Sequence, residues 1–227
     1  MIKANGVHHI AFSTADIKSQ IEFFSDVLGL PLVAIFEMHG VPGGLHAFLE
    51  GSEQCLISFV QLPANADVEI EYGKTHAGSG ALPSAPGTLQ HLALHVDDLV
   101  ELRGIQNRIR SRGVNVLGPI DHGMCHSIYF AGPEGLTLEV ATAEKAVEAK
   151  NWVDPKTAEQ AGISSADLAR FMKPSEYVSP AEPVKQPPMD PSKPHMRYPK
   201  PVYDALLKMS DEEVGAAVSF AEPPVPS

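Results

Sequence analysis

Three side chains able to ligate a transition metal occupy strand-like positions. His9 lies in V-H-H-I-A-F-S-T (7–14), His91 in L-Q-H-L-A-L-H-V (89–96) and Glu139 in L-T-L-E-V-A (136–141). Side chains alternate across a strand, so His91, Ala93 and His95 share one face while Leu92, Leu94 and Val96 share the other. By the same rule His9 and Ala11 oppose Ile10 and Phe12, His8 points away from His9, and Glu139 and Thr137 oppose Leu138 and Val140. The apolar faces must cover helices, which leaves His9, His91 and Glu139 for the concave side of a curved sheet. A carboxylate in an otherwise apolar strand is costly to bury unless it is paired or binds a cation. Two neutral imidazoles and one carboxylate make a facial triad with open positions for substrate and for oxygen or water, the pattern of a catalytic metal rather than a structural one. The competing fate of each histidine is that of a hydrogen-bonded core residue.

The elements that must position these groups come as a repeat. Strand 7–14 is followed by Ala15-Asp16 and the helical spacing Ile17, Ile21, Phe24, Val27, Leu28, which ends at Gly29. Strands follow over 31–38, 45–49 and 54–62, the last two separated by the turn Glu50-Gly51-Ser52-Glu53. After the Gly/Pro/Ser-rich segment 73–87 the order returns: strand 89–96, Asp97-Asp98, helix 99–112 ending at Gly113, then strands near Val114, over 126–131 and over 136–141. A shift of 82 residues sets His9 on His91 and Asp16 on Asp98, and it keeps strand, acidic N-cap and helix in step. The fold class is therefore α+β, with paired βαβββ units forming a half-barrel around a metal site. A Pro-rich, partly helical C-terminal extension follows.

Composition bounds the rest. Apolar residues make up 44% of the 227 and charged residues 20%, enough for an ordinary core. All but seven of the 20 prolines fall from Pro155 onward, which divides the chain into residues 1–143, with units at about 5–65 and 87–143, and an extension over 144–227 that acts as an arm or lid. In that extension Ser164 or Ser165 caps a helix to Met172, residues 174–201 are extended, and Ser210 with Glu213 forms a capping box for a helix through Phe220. A net charge of -11 argues against nucleic acid as partner. Cys55 and Cys125 fit neither a disulfide framework nor a zinc knuckle. The first residues do not read as a signal peptide and no stretch is long and apolar enough for a membrane span, so the expected location is cytoplasmic.

The segments V-H-H-I-A-F-S-T-A-D-I, L-Q-H-L-A-L-H-V-D-D-L and S-I-Y-F-A-G-P-E-G-L-T-L-E-V resemble the three signature segments of the vicinal oxygen chelate superfamily, which includes glyoxalases, fosfomycin-resistance proteins, epimerases and type I extradiol dioxygenases. The resemblance covers residues 5–143 and implies that His9, His91 and Glu139 are the metal ligands.

Within that superfamily the motifs sit closest to the extradiol dioxygenases. Alignment of 55–60 on 136–141 places Ser58 opposite Glu139, where glyoxalases and epimerases carry a fourth ligand, Glu or Gln. The dioxygenases have a tyrosine ten residues before the ligand glutamate, in S-x-Y followed by P-x-G, and Ser127, Tyr129, Pro133 and Gly135 match. The resemblance thus implies Fe(II), with Mn, Ni or Zn as alternatives, and cleavage by O2 of a catecholic or hydroquinone-like ring in aromatic compound degradation. Tyr129, with His95 and His126, is the candidate for substrate contact and base; His122 and His46 are further candidates, and for all four histidines a surface or packing role competes. The family's usual second-sphere histidine comes from the strand that here has Ser58, and most extradiol enzymes carry four βαβββ units rather than two. A pocket built from two units needs the extension, with His195, Arg197 and Tyr198, or a second subunit to close it, so a homodimer or higher homo-oligomer is expected. The alternatives are a metal-dependent lyase, isomerase or thiol transferase, and a non-catalytic small-molecule-binding resistance protein.

Overall fold

The repeat read from the sequence is built as two sheets of identical topology. In this computed structural model, which describes residues 3–143 and 145–225, β1 (His9–Thr14) leads into α1 (Ile17–Glu22), and the helix widens into a π-helical turn over Phe23–Val27. Then come β2 (Leu32–Glu37), β3 (Leu45–Ser52) and β4 (Cys55–Gln61), in the sheet order β1-β4-β3-β2. The second unit repeats this with β5 (Leu92–His95), α2 (Leu99–Ser111), β6 (Leu117–Asp121), β7 (His126–Ala131) and β8 (Thr137–Thr142), in the order β5-β8-β7-β6. In each sheet the first and last strands pair in parallel and the remaining pairs are antiparallel.

The acidic residues at the starts of the helices act as read. Asp16 accepts from the Ser19 backbone N–H, and Asp98 accepts from those of Val100 and Glu101. Two boundaries differ from expectation. The strand placed near Val114 forms only at Leu117, because Val116 turns into the core and its carbonyl accepts from Arg110 instead of from a sheet neighbour. The strand carrying His91 begins at Leu92, which leaves His91 one residue before it.

A single apolar core joins the two repeats. Ala47, Leu49, Ile57 and Phe59 of the first sheet meet Ile128, Leu138 and Val140 of the second in one buried cluster, with Phe24, Leu102 and Ile109 from the helices. Phe24 lies edge-on to Phe59 with ring centres 5.0 Å apart. Burial of each such side chain contributes about 1.5–3 kcal/mol. All of these residues lie on the helix-facing sides of their strands, as alternation requires. The sheets therefore pack through those sides and are not closed upon each other.

Polar bonds lock the repeats together at two points. Arg108 of α2 donates to the carbonyls of Val27 (3.0 Å) and Asp26 (3.1 Å), satisfying the open end of the π-helical turn. Glu134, in the turn between β7 and β8, accepts from the Thr14 hydroxyl (2.5 Å), the Ala15 N–H (2.8 Å) and the Gln20 amide (2.7 Å). It holds φ at +53°, a conformation unfavourable for a residue with a Cβ, and these three bonds from the other repeat offset the strain.

The compact unit containing the sheets runs from Ala4 to Pro174 and so includes α3 (Ala149–Trp152), α4 (Pro155–Gln160) and α5 (Ser165–Met172), the last capped by Ser164 as expected. Residues from Ser175 on, with Lys3, make a second unit. Residues 175–199 form no helix or strand, in keeping with their proline density. There α6 (Lys200–Leu206) forms with Pro201 in its first turn, where the missing N–H has no partner to lose. The capping box of Ser210 and Glu213 starts α7 (Asp211–Val218), which stops two residues short of Phe220. No helix among the described residues is long and apolar enough to cross a membrane.

The lock on Thr14 and Gln20, both buried, carries a testable cost. Glu134→Ala strands these donors and is expected to lower unfolding free energy in urea by about 2–3 kcal/mol. A loss below about 0.5 kcal/mol, the range of ordinary surface changes, would mean that the turn does not tie the repeats.

Candidate metal centre

The second sheet brings two of the three candidate ligands together. Ala93 of β5 stands beside Glu139 of β8 in the parallel pair, and His91, two residues earlier on the same face, places Nε2 3.0 Å from Glu139 Oε2. Glu139 is only 5% exposed, and His91 is its one ion-pair partner among the described residues. The other ring nitrogen of His91 is held by the Gln90 side-chain oxygen. With Nδ1 held by Gln90, Nε2 is left to face the carboxylate, an orientation in which the two groups can share a cation. An imidazole whose tautomer is fixed from behind, facing a buried carboxylate, is a donor pair suited to a divalent metal.

Tyr129 flanks this pair. It is the register partner of Glu139 across β7 and β8, and its hydroxyl lies 2.9 Å from His122 Nε2. Burial pushes the phenol above its ordinary value and the Glu139 carboxylate adds to the rise, while a hydrogen bond with Ser127 works against it. His122 reaches Tyr129 because the chain reverses between β6 and β7, where its N–H bonds to the Cys125 carbonyl.

The first sheet carries a matching face with different chemistry. Ala11 stands beside Ser58 as Ala93 stands beside Glu139, so the register sets Ser58 at the position equivalent to Glu139, as aligned. Phe48 takes the place of Tyr129 in the corresponding antiparallel pair. His9 lies edge-on to Phe48, with ring centres 5.8 Å apart, and His46 packs on the same ring at 4.2 Å. His46 Nε2 lies 3.4 Å from the Ser58 hydroxyl, so an imidazole reaches the Ser58 position from the neighbouring strand. Burial, and then the nearby His9, hold His46 below the ordinary histidine range. His8, expected to point away, turns its ring toward His9 at 2.9 Å between the Nδ1 atoms; it precedes β1 and escapes the alternation of the strand.

His9 is thus not brought to His91 and Glu139, and among the described residues no group of three or more His, Cys, Asp or Glu is placed to hold a metal ion. The cause is the shared core: helix-side packing turns the two histidine faces outward, one on each sheet. The remaining candidates also separate. His95 lies at the far end of β5 with Asp97 as its nearest charged group, at 3.9 Å. His126 faces Asp121 at 3.7 Å, while it is His122 that reaches Tyr129. His195, Arg197 and Tyr198 belong to the second unit. Alternation alone could not choose among these histidines; the signal that favours His122 is the register Asp121–His126, which makes 122–125 a tight turn folding back toward Tyr129.

Sequence comparison agrees with the fold. Residues 6–140 match the Glyoxalase/Bleomycin resistance protein/Dioxygenase superfamily, and the chain belongs to it. It is 28% identical over 190 residues to "Putative ring-cleaving dioxygenase MhqA" of Bacillus subtilis (strain 168), a match covering 81% of this chain and 53% of that protein, so the chain spans about half the length of this relative. Among solved structures, a glyoxylase/bleomycin resistance protein/dioxygenase domain from Frankia sp. EAN1pec is 12% identical with a TM-score of 0.48, over 62% of this chain and 99% of that one. A variant of the fosfomycin resistance protein FosX from Listeria monocytogenes, bound to Mn(II) and 1S,2S-dihydroxypropylphosphonic acid, is 14% identical with a TM-score of 0.45, over 66% and 99%.

The electrostatics of the first face give a measurable sign. In an NMR titration of the metal-free protein, His46 is expected to take up its proton at lower pH than an unstructured histidine and to move up toward the ordinary value in His9→Gln. The depressed value means that the fold favours neutral His46, a contribution fully present above the unfolded pKa of about 6.5 and lost as pH falls through the lower folded one. A His46 that titrates normally, or that ignores His9→Gln, would contradict the placement of the two rings.

Proposed function

We propose that the protein is an Fe(II)-dependent extradiol-type dioxygenase that cleaves a catecholic or hydroquinone-like ring with O2, through a site completed by two copies of the chain. The observation that carries this reading is the His91–Glu139 pair with Tyr129 as its neighbour on β7. His91 and Glu139 of one copy and His9 of another would hold the metal. When bound, such a metal lowers the pKa of a coordinated phenol and holds both reactants in one place.

The protein's own groups take the other parts. Tyr129, kept protonated by burial, donates a hydrogen bond to a substrate oxygen, and His122 fixes the direction of its hydroxyl. His46, neutral near pH 7 and beside His9, accepts the proton that the substrate gives up. The apolar ring of Phe48 walls the pocket against water. Ser58 stands where a fourth ligand would be needed, and this favours the dioxygenase over the lyases and isomerases of the superfamily. The name borne by the Bacillus subtilis relative points the same way.

Anaerobic reconstitution with Fe(II), followed by oxygen-uptake assays against substituted catechols and hydroquinones, tests the reading. Uptake is expected with at least one diol, and Tyr129→Phe is expected to lower kcat/KM by about 10²-fold with bound iron unchanged. Stoichiometric iron without oxygen uptake on any diol would overturn the dioxygenase assignment. Absence of divalent metal binding would overturn the centre itself.

A further inference from the structure

Beyond the sheets, the start of the C-terminal extension lies over the turn between β6 and β7 and forms with it a half-open cavity of about 280 Å3. Its walls include Met124 and His126 from the turn side, and Lys145, Val147, Asn151 and Trp152 from the extension. None of these residues was assigned a place in the metal centre except His126, which faces Asp121 instead.

The chemistry of this lining is selective. Trp152 leaves 47% of its surface exposed, although an indole is among the most favourable groups to bury. It lies against the turn: a Cβ at Gly123 would stand 3.0 Å from the indole edge, and the φ of +78° there favours glycine. The turn itself is pinned, with the Gly123 N–H donating to Asp121 at 2.7 Å. Of the charged side chains at the wall, Glu148 pairs with Lys150 at 2.7 Å, whereas Lys145 has no ion-pair partner among the described residues. A flat aromatic surface, a lysine with no ion-pair partner among the described residues and the amide-bearing Asn151 therefore line one space, large enough for one ring, since about 150 Å3 already accommodates benzene.

We propose that this cavity binds a single-ring aromatic carboxylate, the ring packed on Trp152 and the carboxylate paired with Lys145. The site is built from the extension and one turn, independent of metal and of ring cleavage, and it gives the segment around α3 a recognition role.

Trp152 is the sole tryptophan of the chain, so its fluorescence reports on this cavity alone. The experiment titrates the metal-free, full-length protein with benzoate, exciting the indole selectively, and compares benzyl alcohol and cyclohexanecarboxylate. Saturable quenching by benzoate is expected, with affinity lowered about tenfold or more for benzyl alcohol and in Lys145→Gln, the loss appropriate to one charge-assisted bond. Calorimetry on Trp152→Phe and Trp152→Ala gives a readout free of the fluorophore: binding is retained by the phenylalanine variant and lost by the alanine one. Lys145 is exposed, so its replacement leaves folding intact. Quenching that never saturates, or saturable binding equally strong for cyclohexanecarboxylate or in Lys145→Gln, would overturn the proposal. Because no metal is present, failure here leaves the dioxygenase reading standing, and the converse holds too.

Discussion

The organisation of this protein depends on one packing constraint: both sheets bury the same kind of face against a common core. Ile57 and Phe59 in one repeat and Leu138 and Val140 in the other point to the helices, and the helices hold the repeats together. Since side chains alternate, the polar residues between them have no choice of side. His9, Ser58 and Phe48 are committed to the face of one sheet away from the helices, and Glu139 and Tyr129, with His91 just before β5, to the corresponding face of the other. One chain therefore carries two different polar faces, one with an imidazole pair and one with an imidazole, a carboxylate and a phenol.

The two repeats share a scaffold and differ in the side chains it carries. The scaffold positions have stayed equivalent: parallel first and last strands, aspartate N-caps, and alanine beside the central residue of the last strand. The chemistry has been distributed over them, with Ser58 against Glu139 and Phe48 against Tyr129. Carboxylates on both faces would set like charges at equivalent points of the two repeats; the first face instead has a serine with the His46 imidazole beside it. The locks at Arg108 and Glu134 keep the repeats at a fixed relation, which two outward faces require if a second copy is to meet both of them.

The residues show why some of this was legible in sequence and some was not. Local rules carried the fold: alternation placed Leu138 and Glu139 on opposite faces, Asp16 and Asp98 marked helix starts, and the 82-residue shift found the repeat. The same rules placed His9, His91 and Glu139 on non-core faces correctly. They were silent on whether two such faces converge, because that depends on how sheets pack across the core rather than on any period along the chain. Nor could spacing separate His122 from His126, since the choice turns on a tight reversal at Gly123. The cavity at Trp152 lay outside reach altogether; it needs an extension to return to a turn more than twenty residues earlier.

Mixing two inactive variants tests most directly whether the half-sites of separate copies make one centre. His9→Ala and Glu139→Ala, each unable to load metal alone, are unfolded together, refolded and assayed for bound iron. Mixed dimers then carry one intact site each, and the account predicts recovery of about a quarter of the wild-type iron content for random two-fold assembly. No recovery from mixtures in which mixed dimers demonstrably form would contradict it.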